Sequence, residues 1–331
     1  MDSRRDPVQA RNDGSLDLHD IAEWDQRTVL DAVAVFIYQA LLIATRAFVV
    51  LLALFILLAE IALGTLGGLA DPWIGVLTAL SAVPALGLAA FVWHADVTTQ
   101  EPLSLLVGTF LLGVLVAGFA GILNAAVPAV FLEAGIDLGL AAFFFLVVGP
   151  VEEGVKLLAV RLYPFRDDRF DAVIDGAVYG AAAGLGFATI ENALYITQNV
   201  AAAGANQFAI GGGTSVVRAL AGPGHVIYSA IAGYYLGLAK FNPENAGPIV
   251  IKGLLIASVI HGGYNTLAQF VPEFFAIVTG VGWFGGFVLF VVVFDGVFGL
   301  VLVWKLQAYR RAYRLVHDRP APKSEPTEFE R

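Results

Sequence analysis

The chain is dominated by long apolar runs, each closed by a short polar or Pro/Gly-containing break. Runs of that length match the roughly 20 residues a helix needs to cross a bilayer. Residues 29–45 (VLDAVAVFIYQALLIAT) are interrupted by Asp31 and Gln39 and followed by Arg46. They read as an amphipathic helix lying in the membrane interface, or as the lower part of one long first helix. The first arrangement is preferred, with a span at about 47–69. Asp71 and Pro72 then break the chain, and a second span runs from Trp73 to Trp93. Twenty residues at about 1.5 Å each cover about 30 Å, so these tryptophans read as the two aromatic belts. Further spans are expected at about 103–132, 139–163, 171–198, 216–240, 249–271 and 281–304. Residues 199–215 (NVAAAGANQFAIGGGTS) are expected to be a loop with no strong element. The pattern predicts an all-α integral membrane protein, a polytopic bundle of about eight transmembrane helices with a polar intramembrane site.

Composition agrees. Of 331 residues, 58% are hydrophobic and only 14% charged, against about 25% charged in a soluble protein. There are no cysteines, so disulfides and thiolate metal sites are excluded and any metal must be held by His, Asp or Glu. The net charge of -9 gathers in the tails and loops, which argues against nucleic-acid binding. Residues 1–28 lack an apolar stretch followed by a small-residue cleavage site, so no signal peptide is expected. Eight spans place both termini on one side. Arg46, Arg161, Arg166, Arg169, Lys240, Lys252 and Lys305 fall on that side and Arg218 near the other, so a cell-membrane protein with both termini cytoplasmic is expected. The domain layout is a polar cytoplasmic tail (1–28), the interfacial helix (29–46), one transmembrane domain (47–304), and a basic then acidic cytoplasmic tail (305–331).

Against this background the stretch from Gly149 to Tyr195 is anomalous, because Glu152, Glu153, Lys156, Asp175 and Glu191 lie within apolar helix. A carboxylate near a bilayer centre costs at least about 2.5 kcal/mol, so these groups need partners or a task. Lys156 lies four residues after Glu152 and three after Glu153, within reach of either on a helix. One ion pair leaves the second carboxylate over, and a carboxylate so placed can serve as a general base. Gly176, Gly180 and Gly184 recur every four residues, forming a stripe for close helix packing, and Glu191 follows two turns later with Asn192 beside it. His225 lies in RALAGPGHVIYSA, where Pro223 can open the helix locally, and Ser258, His261, Asn265 and Gln269 share one helix face. Counted from the same membrane surface, Glu152, Glu191, His225 and His261 lie at depths that differ by a few ångström. Asp171 and Asp175 are elsewhere, Asp175 being about 24 Å along the helix from Glu191. They are expected to be structural, pairing with Arg166 or Arg169.

The order EExxK, a glycine-rich helix ending in EN (DGAVYGAAAGLGFATIEN), a histidine in the sixth span and HGxxN in the seventh resembles the PrsW family of intramembrane proteases. That family shares a clan with the CAAX prenyl endopeptidases. The resemblance covers about residues 96–270 and marks the transmembrane domain as protease-like. It implies that Glu152 and Glu153 form the first catalytic motif, one of them as general base, and that His225 and His261 are the later motif histidines. Asn265 is implied to steady the oxyanion and Glu191 to be the family's additional glutamate, with Lys156 in a pairing role and Asn192 supporting. A Zn2+ or other divalent ion held by some of Glu152, Glu153, Glu191, His225 and His261 is an alternative source of the nucleophilic water, although HExxH is absent. The expected substrate is a membrane-anchored protein within the lipid bilayer, in regulated or processing proteolysis. The alternatives are a CAAX-type processing endopeptidase and an ion- or proton-coupled transporter using the buried Glu/His cluster. No internal repeat supports the transporter.

Overall fold

The computed structural model describes residues 27–62, 70–98, 100–133 and 139–317. No strand occurs among them. The helices are α1 (Val29–Ala62), α2 (Pro72–His94), α3 (Leu103–Glu133), α4 (Gly139–Phe143), α5 (Gly149–Leu162), α6 (Val173–Ala202), α7 (Gln207–Lys240), α8 (Ala246–Leu267), α9 (Val271–Thr279) and α10 (Gly282–His317). The protein is an all-α membrane protein. Of the eight expected spans, five coincide with segments long and apolar enough to cross a bilayer: Pro72–His94, Leu103–Pro128, Val173–Ala202, Pro243–Leu267 and Gly282–Leu315. The chain falls into two units, residues 1–52 and 53–331. The described part of the first is the initial portion of α1, with Phe36, Ile43 and Phe48 exposed. The second unit holds the site described below.

Several boundaries differ from expectation. Val29–Ala62 is a single helix, so no break separates 29–46 from the span expected to start at 47. The physical reason is the absence of any Gly or Pro in that stretch. Residues 199–215 are helical rather than a loop: α6 runs to Ala202, a 3₁₀ turn covers Gly204–Asn206, and α7 begins at Gln207. Contacts override weak propensity here, because Ser215 Oγ donates to the Leu77 carbonyl at 2.8 Å and Gly211 lies close to Leu77 and Val200. Helix α7 continues through Pro223, and α10 continues past Trp304 to His317. The expected N-terminal tail lies outside the described residues except for Arg27 and Thr28, as does residue 318 onward of the C-terminal tail.

Asp71 and Pro72 start α2 as anticipated, the Asp71 carboxylate accepting the Trp73 N–H at 2.9 Å. Helix α6 is the centre of the bundle: 78% of its apolar stretch is buried, against 28–33% in the other four. Its glycine stripe explains why. A Cβ on Gly176 would sit 2.2 Å from the Gly233 carbonyl, and one on Gly180 would sit 2.2 Å from that of Ser229. On another face Gly186 is equally close to the Phe110 carbonyl of α3. Backbones therefore touch where side chains would keep them apart, the packing mode favoured in lipid.

Candidate active site

The first motif is delivered by a distortion. Ahead of α5 the helix widens into a π turn at Phe144–Val148, with the Gly149 N–H bonded to the Phe144 carbonyl. Pro150 has no N–H to give to residue 146 and its ring crowds that carbonyl, so the wider turn relieves a clash. Gly149 lets α5 approach α8, where an added Cβ would lie 2.5 Å from the Ser258 carbonyl. The result sets Glu152, Glu153 and Lys156 inside the bundle, all buried.

The two glutamates differ. Glu153 is fully enclosed and saturated. Its Oε1 accepts from Lys156 Nζ at 2.7 Å and lies 2.9 Å from His261 Nδ1, while its Oε2 accepts from Ser229 Oγ at 3.0 Å. Glu152 accepts from the Asn124 side-chain amide at 3.1 Å through Oε1. Its Oε2 is buried with no hydrogen-bond partner among the described residues, 3.7 Å from His261 Nε2 and 3.9 Å from Lys156 Nζ.

The partners fix the histidine tautomers. Lys156 offers only hydrogens, so His225 Nδ1, 2.9 Å from Nζ, accepts. His225 Nε2 then carries the ring hydrogen and donates it to Glu191 Oε2 at 2.9 Å. His261 faces a carboxylate through Nδ1, so Nδ1 donates and Nε2 presents its lone pair toward Glu152. The two rings meet edge to face at 5.2 Å between centroids. Lys156 Nζ also lies 4.3 Å from the centre of the Phe187 ring.

Glu191 is gripped by Arg218, which pairs with its Oε2 and also donates from Nε to the Asn192 side-chain oxygen at 2.8 Å. Asn192 turns its amide to Ser81 Oγ at 3.0 Å, so it anchors Arg218 against α2 and does not face the histidines. A cavity of about 1200 Å³ is lined by Glu152, Glu191, His225, His261, Asn265, Arg218 and Asn124, and extends past Gln198, Asn199, Gln269 and Trp283. Glu153, Lys156 and Asn192 do not line it. The structure thus gathers all eight expected site residues around one region, five of the six expected catalytic residues being on the cavity wall.

Sequence reasoning missed Asn124 and Ser229 as partners of the two glutamates. It noticed Arg218 only as a topology marker. It also passed over Asp295, buried in α10, which accepts from the Tyr228 hydroxyl at 2.7 Å; the Tyr228 ring lies 5.6 Å from that of His261. The signal that singled out Glu152, an ionisable group in apolar helix, was present at Arg218 and Asp295 too. Among the described residues, Asp171 and Asp175 do not pair with Arg166 or Arg169 as expected. Exposed Arg169 instead pairs with half-buried Asp167 at 2.7 Å and holds that carboxyl down to about 2, and Asp175 accepts backbone N–H groups. The geometric reason is reach: Arg169 folds back over its own turn, while the α6 start offers Asp175 free backbone donors.

The sequence profile of PrsW family intramembrane metalloproteases matches residues 101–297. The chain belongs to this family. It is a membrane-embedded peptidase, and its relatives agree over most of their length. It is 28% identical over 238 residues to Protease PrsW of Shouchella clausii, covering 71% of this chain and 97% of that protein. It is 33% identical over 190 residues to Protease PrsW of Geobacillus kaustophilus, covering 56% and 76%. The Bacillus subtilis Protease PrsW is 30% identical over 217 residues, covering 61% and 88%. No solved structure matches the chain.

The family description implies a metal, and the residues fit one. One ligand atom from each of Glu152, His225 and His261 lies within 4.8 Å of the others. Two histidines and a carboxylate make up a known catalytic zinc donor set, and Glu152 Oε2 and His261 Nε2 already present free lone pairs. For His225 to join the set through Nε2, its one ring hydrogen would have to sit on Nδ1 instead, on the side of Lys156. Glu153 on His261 Nδ1 supplies the carboxylate–histidine support that orients such ligands.

Proposed function

We propose that this peptidase hydrolyses a peptide bond of a membrane-anchored protein, with Glu152 accepting the proton of the attacking water. The observation that carries the reading is Glu152 Oε2: buried, without a partner, on the cavity wall, and beside both histidines. Glu153 already has three partners and is assigned a positioning role, holding His261 and Lys156. Glu191, itself held by Arg218, fixes His225. As the water oxygen attacks the carbonyl carbon, Glu152 takes its proton and later passes it to the leaving amine as the C–N bond breaks. Asn265, on the cavity wall one turn beyond His261, is assigned to donate to the developing oxyanion. As an alternative to acting as the base, Glu152 would join His225 and His261 in holding a divalent metal. When bound there, such an ion polarises the attacking water and lowers its pKa.

The cavity has room for an extended segment of substrate together with water. The basic residues gather at the opposite end of the bundle, so we place the termini in the cytoplasm and the cut toward the non-cytoplasmic side. The test is the purified full chain in detergent, incubated with a library of membrane-anchored peptides. Glu152→Gln is expected to melt like the wild type and to cleave at least about 100-fold more slowly. Wild-type cleavage rates in the Gln variant would refute the assignment. For the metal, elemental analysis should find zinc or another transition-series divalent ion in the wild type and much less of it in His261→Ala.

A further inference from the structure

At the end of α6 away from Glu191, a second set of carboxylates converges. Asp96 and Glu101 come from the α2–α3 connection and Asp175 from the first turn of α6. One carboxylate oxygen from each lies within 4.8 Å of the others. An acidic cluster can be nothing more than a solvated surface, but two of these three residues are enclosed, Asp175 being 0% and Glu101 2% exposed, and Asp96 is half-buried.

The hydrogen bonding divides each aspartate in two. Asp96 Oδ1 accepts from the Thr98 N–H and hydroxyl, both at 2.8 Å, while Oδ2 is buried with no partner. Asp175 Oδ2 accepts from the N–H groups of Asp171 and Ala172 at 2.7 and 2.8 Å, while Oδ1 is buried with no partner. Both oxygens of Glu101 are buried with no hydrogen-bond partner among the described residues. Backbone and threonine donors therefore fix the two aspartates by one oxygen each and leave the other free. Tyr179, fully buried one turn beyond Asp175 on the same helix face, also has an unpartnered hydroxyl.

No basic side chain among the described residues lies within ion-pair distance of the three. The neighbouring cation, Lys240, points its ammonium at the carbonyls of Phe165, Phe170 and Asp167, at 2.8, 2.7 and 3.4 Å.

We propose that Asp96, Glu101 and Asp175 bind a hard divalent cation of the calcium or magnesium class, at a site separate from Glu152, His225 and His261. The donor chemistry separates the two: carboxylate oxygens alone suit calcium and magnesium, whereas two imidazoles with one carboxylate suit zinc. A cation here pins the α2–α3 connection to the start of α6, the helix that carries Glu191 at its other end.

The test uses the full-length protein in detergent, stripped with a chelator and titrated calorimetrically with CaCl2 and with MgCl2, with melting followed in parallel. The wild type and His261→Ala are each expected to take up about one equivalent of one of these ions and to melt at a higher temperature when loaded. Glu101→Gln is expected to bind at least tenfold more weakly and to melt at the same temperature with and without the ion. Asp96→Asn keeps the Thr98 contacts through its amide oxygen and gives the same readings should Glu101→Gln fail to fold. The proposal is overturned by the absence of saturable binding of either ion, by equal binding in wild type and both carboxamide variants, or by binding lost in His261→Ala and retained in Glu101→Gln.

Discussion

Two glutamates adjacent in sequence occupy opposite kinds of place. Glu153 neutralises Lys156 in a fully buried pair, whereas Glu152 keeps a bare oxygen on the cavity. Removing one member of a buried ion pair leaves an uncompensated charge and costs about 3–5 kcal/mol. Glu153→Ala is therefore expected to melt well below wild type in detergent, while Glu152→Ala melts close to it. Equal melting of the two would show that the Glu153–Lys156 pair carries no stability. Arg218 works at one remove, holding Glu191 against His225. Arg218→Ala is expected to slow cleavage at least tenfold, with Arg218→Lys recovering part of the rate because a single ammonium reaches Glu191 without also tying Asn192. An unchanged rate in Arg218→Ala would remove Arg218 from the positioning network. At this scale the residue types were legible and the roles were not. EExxK announces two carboxylates and an ammonium, but only the surrounding Asn124, Ser229 and His261 decide which carboxylate is satisfied. Those partners lie 28, 76 and 108 residues away in the chain.

Helices α6 and α7 form the element on which the site depends. The glycines that bring them together also set the height of His225 and Ser229, since a Cβ on Gly184 would lie 2.5 Å from the His225 carbonyl and one on Gly180 would lie 2.2 Å from that of Ser229. Gly180→Ala is expected to force the helices apart, costing about 1–3 kcal/mol by overpacking and reducing cleavage by more than its loss of stability explains. Gly87→Ala in α2, with nothing within 4 Å of the added carbon, is expected to be neutral or to gain up to about 1 kcal/mol from helix propensity. Detergent melting of the two variants, with cleavage measured at a temperature where both are folded, checks the contrast. The four-residue spacing of these glycines was readable as a packing stripe. That the stripe meets α7, and that the Gly-rich 207–215 stretch is helical, follows from contacts such as Ser215 to Leu77 that local propensity does not contain.

Over the whole molecule, one end of the bundle bears the α2–α3 and α5–α6 connections and the acidic cluster, and the other bears the α6–α7 turn and the outer part of the cavity. The absence of cysteine makes this polarity directly testable, because a single introduced thiol reports its own side. Exposed Asp168→Cys is expected to react with a membrane-impermeant maleimide only from the cytoplasmic face, and exposed Ala205→Cys only from the opposite face; the reverse pattern would invert the topology. The sequence by itself determined the membrane class, most of the spans and the residue types of the site. Those depend on the cost of apolar surface in water and of charge in lipid, which are properties of residues and short windows. Tertiary structure alone decided which glutamate is free, which nitrogen of each histidine points where, that Arg218 and Asp295 belong around the site, and that Asp175 has one unpartnered oxygen close to Asp96 and Glu101. Each of these is a contact between segments far apart in the chain, and a hydrogen bond is satisfied or left open only once both partners are in place.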